Sequence, residues 1–378
     1  MPDVPRVAVT LTQCWHRVPG GTATSVVDLV DAIARTGAVD LVGVGPRTNV
    51  APTPPVPMID VARLSLPLPV LYDAWSVSRR PTIESATGPV DVVHLTVPMS
   101  PPVTPAALVA TVHDLFPLTM PEQFTGRGAR LMRRGLDQIR SRARIVAVPS
   151  SAVAADCEQQ GFQPDRLRVV PWGAPSIDPK QVDRAEIARV RQRYGLNGPF
   201  VLFVGTLEPR KGLATLAEAM TRLDRPDVTL AIAGPDGWGT DLDVLVAGVA
   251  SPVARLGFVP SADLPALERA ADAFCYPSVA EGFGLPVLEA MAAGAAVVTT
   301  AGTSMAEVAG DAARLAPAGD APALAAALRE VIDDAERCGP LRQRAVGRAA
   351  EYTWSRTAQQ MVGIYHEAIE SVDVGAGP

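Results

Sequence analysis

Two glutamates eight positions apart, Glu281 and Glu289, flank a glycine-containing loop and the predicted start of a helix. The loop Gly282–Leu285 follows a short apolar stretch typical of a buried strand, and Pro286 suits a first helical turn. Glycines let the backbone approach a ligand closely, and N–H groups at a helix N-terminus bind hydroxyls or phosphate oxygens. A capped helix whose dipole Glu289 stabilises is the alternative for an isolated glutamate, but the whole run favours a binding site for one polar ligand.

A glycine and a pair of cations follow another apolar stretch, Phe200–Val204. Gly205 permits a tight exit from the strand, and Arg210 and Lys211 stand at the start of the next predicted helix. Two cations there oppose the helix dipole, which costs energy unless an anion is bound. A diphosphate would supply that anion through charge-assisted hydrogen bonds. A solvated Arg–Lys pair is the alternative, but the position after a glycine turn favours phosphate binding.

At two further sites, a functional role and a purely structural role fit the sequence equally well. His113 and Asp114 end the apolar stretch Leu108–Val112, where a histidine would face a ligand as a hydroxyl partner or in proton transfer. A structural histidine bonded to Asp114 or to the backbone fits equally well. Gly20 and Gly21 follow the first apolar stretch, either as a turn that admits a phosphate or acceptor or as a plain tight turn.

Other motifs are weaker or missing. Asp241 and Asp243 resemble a metal-binding pair but precede an apolar helical run, so we expect no metal there. The segment Arg127–Arg144 carries arginines against a single aspartate, which indicates either a solvated helix face or contact with an anionic membrane or a phosphate-bearing acceptor. The patterns G-x-G-x-x-G and G-x-x-x-x-G-K-[ST] are absent after the strands, which argues against dehydrogenases and P-loop proteins.

The elements that must position these residues alternate between short apolar strands and amphipathic helices. Such alternation predicts parallel sheets covered on both faces, with ligands beyond the carboxyl ends of the strands. The predicted strands are 6–11, 39–44, 90–95, 108–112 and 145–148, followed by 200–204, 228–233, 253–258, 273–276 and 296–299. The predicted helices are 22–35, 212–223, 262–271, 286–293, 322–333 and 354–369.

A chain of 378 residues suggests two domains. We predict an N-terminal domain over 1–175, joined by a C-terminal helix over 354–371, and a second domain over 176–353. The segment 171–199, rich in proline and charge, is interpreted as the linker, and 46–69 as a loop.

Composition excludes several classes of protein. Hydrophobic residues make up 48% and charged residues 20%, so the chain can bury a core and is not disordered. The net charge of −6 argues against a general nucleic-acid binder. Four scattered cysteines are typical of reduced thiols, and the start of the sequence resembles no signal peptide, so a cytoplasmic protein is expected.

The run from Glu281 to Glu289, with Gly-Phe-Gly-Leu-Pro between, resembles the E-x7-E signature of retaining glycosyltransferases of family 4. The segment 204–212 is similar to that family's phosphate-binding segment. The resemblance extends through 111–118, 257–260 and 303–311 and covers essentially the whole chain.

The resemblance implies an α/β GT-B fold, with two Rossmann-like domains whose parallel sheets face each other across a cleft and a C-terminal helix that crosses back. It implies catalytic roles for His113, Glu281, Arg210 and Lys211, no metal and no cofactor. Arg210 and Lys211 would hold the donor diphosphate, while Glu289 would bind ribose and Glu281 the donor sugar. Further donor-binding positions are Gly20, Gly21, Gly205, Thr206, Gly234, Pro235, Val259, Gly282, Phe283, Gly284 and Leu285.

The expected activity is transfer of a hexosyl group from a nucleotide sugar to a glycan or glycolipid in bacterial polysaccharide biosynthesis. The segment 111–124 looks like bacterial mannosyltransferases, which favours GDP-mannose. The expected location is the cytoplasm, with contact to the inner face of the membrane through Arg127–Arg144 as one interpretation. A sugar-nucleotide epimerase of the same fold and a non-catalytic scaffold subunit remain alternatives.

Overall fold

The structure, a computed structural model, describes residues 4–16, 20–56, 59–175, 177 and 182–374, and at 335–337 and 372–374 it describes the backbone alone. Residues 176 and 178–181 of the predicted linker lie outside this range. The chain divides into two units, with boundaries between Gly173 and Ala174 and between Tyr352 and Thr353. We call the unit with the first sheet unit one, and the unit from Ala174 to Tyr352 unit two.

Unit one contains a seven-stranded parallel sheet with the strand order β3-β2-β1-β4-β5-β6-β7. Its central strands are buried on both faces, since Val7, Val9 and Val93 are fully inaccessible to solvent. Burial of such β-branched side chains is the main driving force for a parallel sheet of this kind. The strands are β1 Arg6–Thr10, β2 Asp40–Gly45, β3 Asp60–Arg63, β4 Val92–Leu95, β5 Ala107–Thr111, β6 Ile145–Val148 and β7 Leu167–Val169.

Helices connect these strands and cover the sheet. They are α1 Gly20–Thr36, α2 Val70–Val77, α3 Glu84–Thr87, α4 Phe116–Thr119, α5 Gly126–Arg142 and α6 Ser151–Gln159. Capping by Thr125 and Ser150, whose hydroxyls accept backbone N–H groups, fixes where α5 and α6 begin.

Unit two contains a six-stranded parallel sheet with the order β10-β9-β8-β11-β12-β13. Its strands are β8 Phe200–Val204, β9 Thr229–Ala233, β10 Val253–Gly257, β11 Ala273–Tyr276, β12 Val297–Thr300 and β13 Arg314–Ala316. Its helices are α7 Arg184–Arg193, α8 Leu213–Leu223, α9 Leu242–Val246, α10 Leu264–Ala270, α11 Leu285–Ala292, α12 Ser304–Ala309, α13 Ala321–Asp333 and α14 Ala335–Ala349.

The last helix, α15 Trp354–Val374, packs on α1 and on β4 and β5 of unit one. Its Tyr365 hydroxyl lies 2.9 Å from Nδ1 of His94 on β4, whose Nε2 lies 2.8 Å from the Thr111 hydroxyl. Burial of His94 lowers its pKa to about 3, so the imidazole is neutral and serves as a hydrogen-bonding link. Among the described helices, none combines the length and hydropathy needed to cross a bilayer.

All ten predicted strands are present, with ends that differ by up to two residues. Three strands were missed because edge strands carry polar residues and form no apolar run: β3, β7 and β13. The predicted loop 46–69 therefore contains β3. Gly20 and Gly21 form the first turn of α1 rather than a separate tight turn.

The predicted linker also contains structure, because α7 lies within it. Asp263, at the start of α10, is almost fully buried. Its carboxylate forms an ion pair with Arg193 at 2.8 Å and accepts a hydrogen bond from the Tyr194 hydroxyl at 2.7 Å. A second arginine of α7, Arg189, also binds this carboxylate. The charge of the segment therefore anchors α7 to unit two.

Replacing Gly135 by alanine should destabilise the protein. Gly135 lies where α5 meets the backbone of 98–99, and a Cβ there would stand 2.2 Å from the Pro98 carbonyl oxygen. We expect overpacking to lower the free energy of unfolding by about 1–3 kcal/mol. The matched control is Gly363→Ala in α15, where a Cβ meets nothing within 4 Å and should stabilise the helix by up to about 1 kcal/mol. Equal urea midpoints for the two variants would contradict this packing.

Candidate functional site

Two loops at the carboxyl ends of neighbouring strands form the candidate site in unit two. β8 and β11 are adjacent in the sheet, so the segments that follow them meet at one edge. The Arg210 carbonyl accepts a hydrogen bond from the Val279 N–H at 2.8 Å and lies 2.9 Å from the Ser278 hydroxyl. Gly212 permits this approach, because a Cβ there would stand 2.0 Å from the Pro277 carbonyl oxygen.

The carboxylate of Glu281 lies at the centre of this edge. Its Oε1 lies 2.6 Å from the Lys211 ammonium and 2.9 Å from the Arg210 guanidinium. The same oxygen accepts hydrogen bonds from the hydroxyls of Ser278 at 2.9 Å and Tyr276 at 3.0 Å. Within the described chain, these contacts of the carboxylate all involve Oε1. The second oxygen, Oε2, is therefore the acceptor that remains for a ligand hydroxyl.

Electrostatics keep this cluster ionised. Burial would raise the pKa of Glu281, but Lys211 and then Arg210 outweigh it and lower the pKa to about 2. Burial lowers the pKa of Lys211, and Glu281 opposes that shift. A second carboxylate, that of Glu208, lies 3.2 Å from Arg210. The expectation that the two cations need a bound anion is thus incomplete, because the protein itself supplies two carboxylates.

The loop after β11 leads directly into α11, as the sequence predicts. Gly284 occupies the cap position with φ of 99°, a left-handed conformation that favours glycine. Phe283 is buried, with its ring edge-on to Tyr352 at 5.9 Å, so only its backbone is suited to contact a ligand. The Ser304 hydroxyl donates to the Glu281 carbonyl at 2.6 Å and holds the start of the loop. Gly282 and Leu285, the other predicted positions, are partly exposed.

Glu289 lies one turn into α11 and is partly exposed. Its electrostatic partner is Glu268 of α10, which is 2% exposed. Burial and then Glu289 raise the pKa of Glu268 well above its usual value.

The ends of β8, β9 and β10 place the remaining predicted positions of unit two at the same edge of the sheet. The Gly234 N–H donates to the Gly257 carbonyl at 2.8 Å, and the Gly205 N–H donates to the Ala233 carbonyl at 2.9 Å. Thr206 follows Gly205 directly, and the Pro235 carbonyl accepts from the next N–H along, that of Leu207, at 3.2 Å. Val259, after β10, is buried.

Unit one holds the other predicted residues. His113 follows β5, and its Nε2 donates to the Thr96 carbonyl at 2.9 Å, so the predicted backbone partner is present. Burial lowers its pKa to about 4, which leaves a neutral ring whose Nδ1 is an acceptor. The Asp114 carboxylate accepts the Phe116 N–H at 3.0 Å. Gly20 and Gly21 are exposed at the start of α1.

Sequence reasoning missed Tyr276 and Ser278, which fix the Glu281 carboxylate. The sequence did contain a signal for them, because Tyr276 ends an apolar strand and Ser278 follows it just before the glycine loop. A second signal is composition, because lysine occurs only at positions 180 and 211 among 34 basic residues. A lysine kept in a chain that otherwise uses arginine indicates a position that needs a compact ammonium group.

The acidic pair judged weak in the sequence has structural partners. Asp241 caps α9 by accepting the Val244 N–H at 3.3 Å, and Asp243 pairs with Arg255. Within the described ranges, no three histidine, cysteine, aspartate or glutamate side chains come together as a metal site.

Sequence comparisons match both units. A family described as Glycosyltransferase Family 4 matches residues 19–176, and one described as Glycosyl transferases group 1 matches residues 198–334. The O-antigen chain mannosyltransferase B of Escherichia coli is 32% identical over 264 residues, which are 68% of this chain and 69% of that protein. The phosphatidyl-myo-inositol mannosyltransferase of Mycolicibacterium smegmatis is 35% identical over 209 residues, 53% of this chain and 54% of that protein.

Solved structures share the fold at low sequence identity. HepE of Anabaena, solved with UDP and glucose, superposes with a TM-score of 0.74 at 19% identity over 96% of this chain and 100% of that chain. WaaG, a glycosyltransferase involved in lipopolysaccharide biosynthesis, gives a TM-score of 0.73 at 19% identity over 95% of this chain and 99% of that chain. The chain therefore belongs to glycosyltransferase family 4, has the GT-B fold and is a glycosyltransferase.

Proposed function

We propose that the protein transfers a mannosyl group from GDP-mannose to a glycan or lipid-linked acceptor, with retention of configuration and without a metal. The observation that carries this proposal is the cluster of Arg210 and Lys211 on one oxygen of Glu281. The cluster lies at the edge of the sheet where open α/β folds bind their ligands.

The cations suit a diphosphate leaving group. Negative charge grows on the diphosphate as the bond to the sugar breaks, and a preorganised ammonium and guanidinium stabilise that charge. Lys211 is only 9% exposed, so water screens its field weakly. These residues would take the role that a divalent ion plays in other transferases.

The two glutamates suit hydroxyl recognition. The Oε2 atom of Glu281 would accept a hydroxyl of the donor sugar, and the Glu289 side chain would accept the ribose hydroxyls. The pKa of about 2 makes Glu281 a weak base and a weak nucleophile at neutral pH. We therefore favour attack by the acceptor from the leaving-group face, where a phosphate oxygen takes the acceptor's proton, over a covalent intermediate on Glu281.

The proposed donor draws support from the sequence relatives. Both curated relatives described above are named mannosyltransferases, and this supports mannose as the transferred sugar. The HepE structure contains UDP and glucose, so UDP-glucose is the donor to test against GDP-mannose. An epimerase would instead convert its nucleotide sugar without any acceptor.

The basic segment supports peripheral contact with an anionic membrane. Arg130, Arg133 and Arg134 are exposed on α5, whereas Arg127 pairs with Asp73. Exposed arginines on one helix are attracted to anionic lipid head groups. A cytoplasmic protein at the inner face of the membrane would meet lipid-linked acceptors there.

Nucleotide binding tests the donor directly. We expect GDP and GDP-mannose to raise the thermal midpoint more than UDP and UDP-glucose, because a bound ligand stabilises the folded state by mass action. Release of GDP from GDP-mannose should persist in excess EDTA, and proton NMR should show an α-linked product. A rise in the thermal midpoint with uridine nucleotides alone would contradict GDP-mannose as the donor. Loss of activity on chelation would contradict the metal-free mechanism.

Lys211→Ala should impair use of the donor. Removing the ammonium takes away a charge-assisted contact to the diphosphate, so kcat/KM for the donor should fall on the order of a hundredfold. The control is Arg222→Ala, which removes a cation from the exposed face of α8. Unchanged donor kinetics in a folded Lys211→Ala variant would contradict the proposed diphosphate site.

Glu281→Gln should lower stability as well as activity. The variant leaves the buried Lys211 ammonium without its carboxylate, while Arg210 keeps Glu208, and this costs about 3–5 kcal/mol of unfolding free energy at pH 7. Glu218→Gln, at an exposed ion pair, should change it by less than about 0.5 kcal/mol.

The difference in unfolding free energy between wild type and Glu281→Gln should become smaller as the pH is lowered. The folded pKa of Glu281, about 2, lies below its ordinary 4.5, so its contribution is complete above pH 4.5 and is lost as the pH falls toward 2. Urea unfolding at several pH values measures this, and a difference that stays constant with pH would show that the charge is not responsible.

A further inference from the structure

A pocket of about 240 Å³ opens in unit one beyond the carboxyl ends of β1 and β2. Its walls come from the segment after β1, from the loop between β2 and β3, and from Pro67 and Leu68 after β3. This is the edge at which parallel sheets bind ligands, and the roles assigned above leave it unused. Drug-sized ligands need roughly 300–1,000 Å³, so this pocket suits a single ring.

Hydrogen bonds hold the aromatic wall of the pocket in place. The Trp15 indole N–H donates to the Val50 carbonyl at 2.9 Å, and the Thr53 N–H donates to the Cys14 carbonyl at 2.7 Å. The Arg63 guanidinium lies over the Trp15 ring, 4.4 Å from its centroid. The two walls are thus tied to each other, and Trp15 offers a fixed apolar surface for the C–H groups of a ring.

A relay of hydrogen bonds sets the tautomer of His16. The Tyr72 hydroxyl donates its only proton to the Thr12 hydroxyl at 2.8 Å. The Tyr72 oxygen must therefore accept from His16, whose Nε2 lies 2.8 Å away. Burial lowers the pKa of His16, so the ring is neutral at pH 7 and carries that one proton. Its Nδ1 is left as an acceptor for a ligand hydroxyl.

The pocket is cationic in an acidic chain. Its described lining contains Arg47 and hydroxyls from Thr48 and Thr53 but no aspartate or glutamate. The Arg47 N–H donates to the Leu66 carbonyl at 2.9 Å, which fixes its backbone while its side chain stays exposed. A guanidinium whose described pocket lining contains no acid favours phosphate or carboxylate groups.

We propose that this pocket binds the acceptor as a polyol ring with an anionic substituent, its hydroxyl on His16 Nδ1 and its phosphate or carboxylate on Arg47. That the ligand is the acceptor rests on the proposed transferase activity; that it is an anionic ring polyol rests on the pocket. The shared chemistry is that of sugar and cyclitol phosphates and of uronic acids.

Calorimetric titration in the presence of saturating GDP tests the pocket, because GDP fills the diphosphate site. The probes are myo-inositol 1-phosphate, mannose 6-phosphate and glucuronic acid, compared with myo-inositol and inorganic phosphate. At least one of the anionic rings should bind at least ten times more tightly than either myo-inositol or inorganic phosphate. The phosphate and carboxylate probes distinguish the two substituents.

Variants locate the binding. Arg47→Gln should weaken the best probe at least tenfold, while Arg222→Gln, the matched exposed control, should leave its affinity unchanged. His16→Phe should also weaken it, with an unchanged thermal midpoint as proof of folding. Lys211→Ala should bind the probe as wild type does.

Three results would overturn the inference: no binding by any anionic ring, displacement of the probe by GDP, or equal affinity in Arg47→Gln and wild type. Failure of the proposed function looks different. In that case GDP would not bind wild type, while the probe would still bind and still depend on Arg47.

Discussion

One buried carboxylate determines the geometry of the site in unit two. Glu281 holds an ammonium and a guanidinium from the loop after β8 on a single oxygen. The hydroxyls of Tyr276, at the end of β11, and Ser278, just after it, fix that oxygen. The attraction between this carboxylate and the two cations outweighs the cost of burying the carboxylate. The cations therefore occupy one small volume without help from a ligand, which is the preorganisation that electrostatic catalysis requires.

The titratable groups near the strand ends differ between the two units, although Arg47 adds a cation to the pocket of unit one. Unit two carries ionised side chains at its strand ends, whereas unit one carries His16, His94 and His113, whose pKa values are all lowered by burial. Neutral imidazoles recognise hydroxyls by hydrogen bonds without attracting phosphate.

The sequence predicted the central strands and the glycine loop because apolar runs and helix-start signals are local. It also predicted that Arg210, Lys211 and Glu281 follow strands of the second sheet, which is where the structure places them. It did not predict that Glu281 would neutralise the cations, because the separation between the loops is a tertiary property. Edge strands such as β3 were missed because their exposed faces need no apolar residues, and the Tyr72–His16 relay joins positions too distant in sequence for any motif to reveal.

The placement of α15 has a consequence for biosynthesis. Unit two is continuous in the chain, whereas unit one is interrupted by it, and the two connections lie side by side, joined by the bond from the Ala174 N–H to the Tyr352 carbonyl at 3.0 Å. During translation the second unit can finish first, while the first must wait for Tyr365 to emerge and complete the contact with His94. A ribosome that stalls before that residue would leave the apolar groove between α1 and β5 uncovered and open to chaperones.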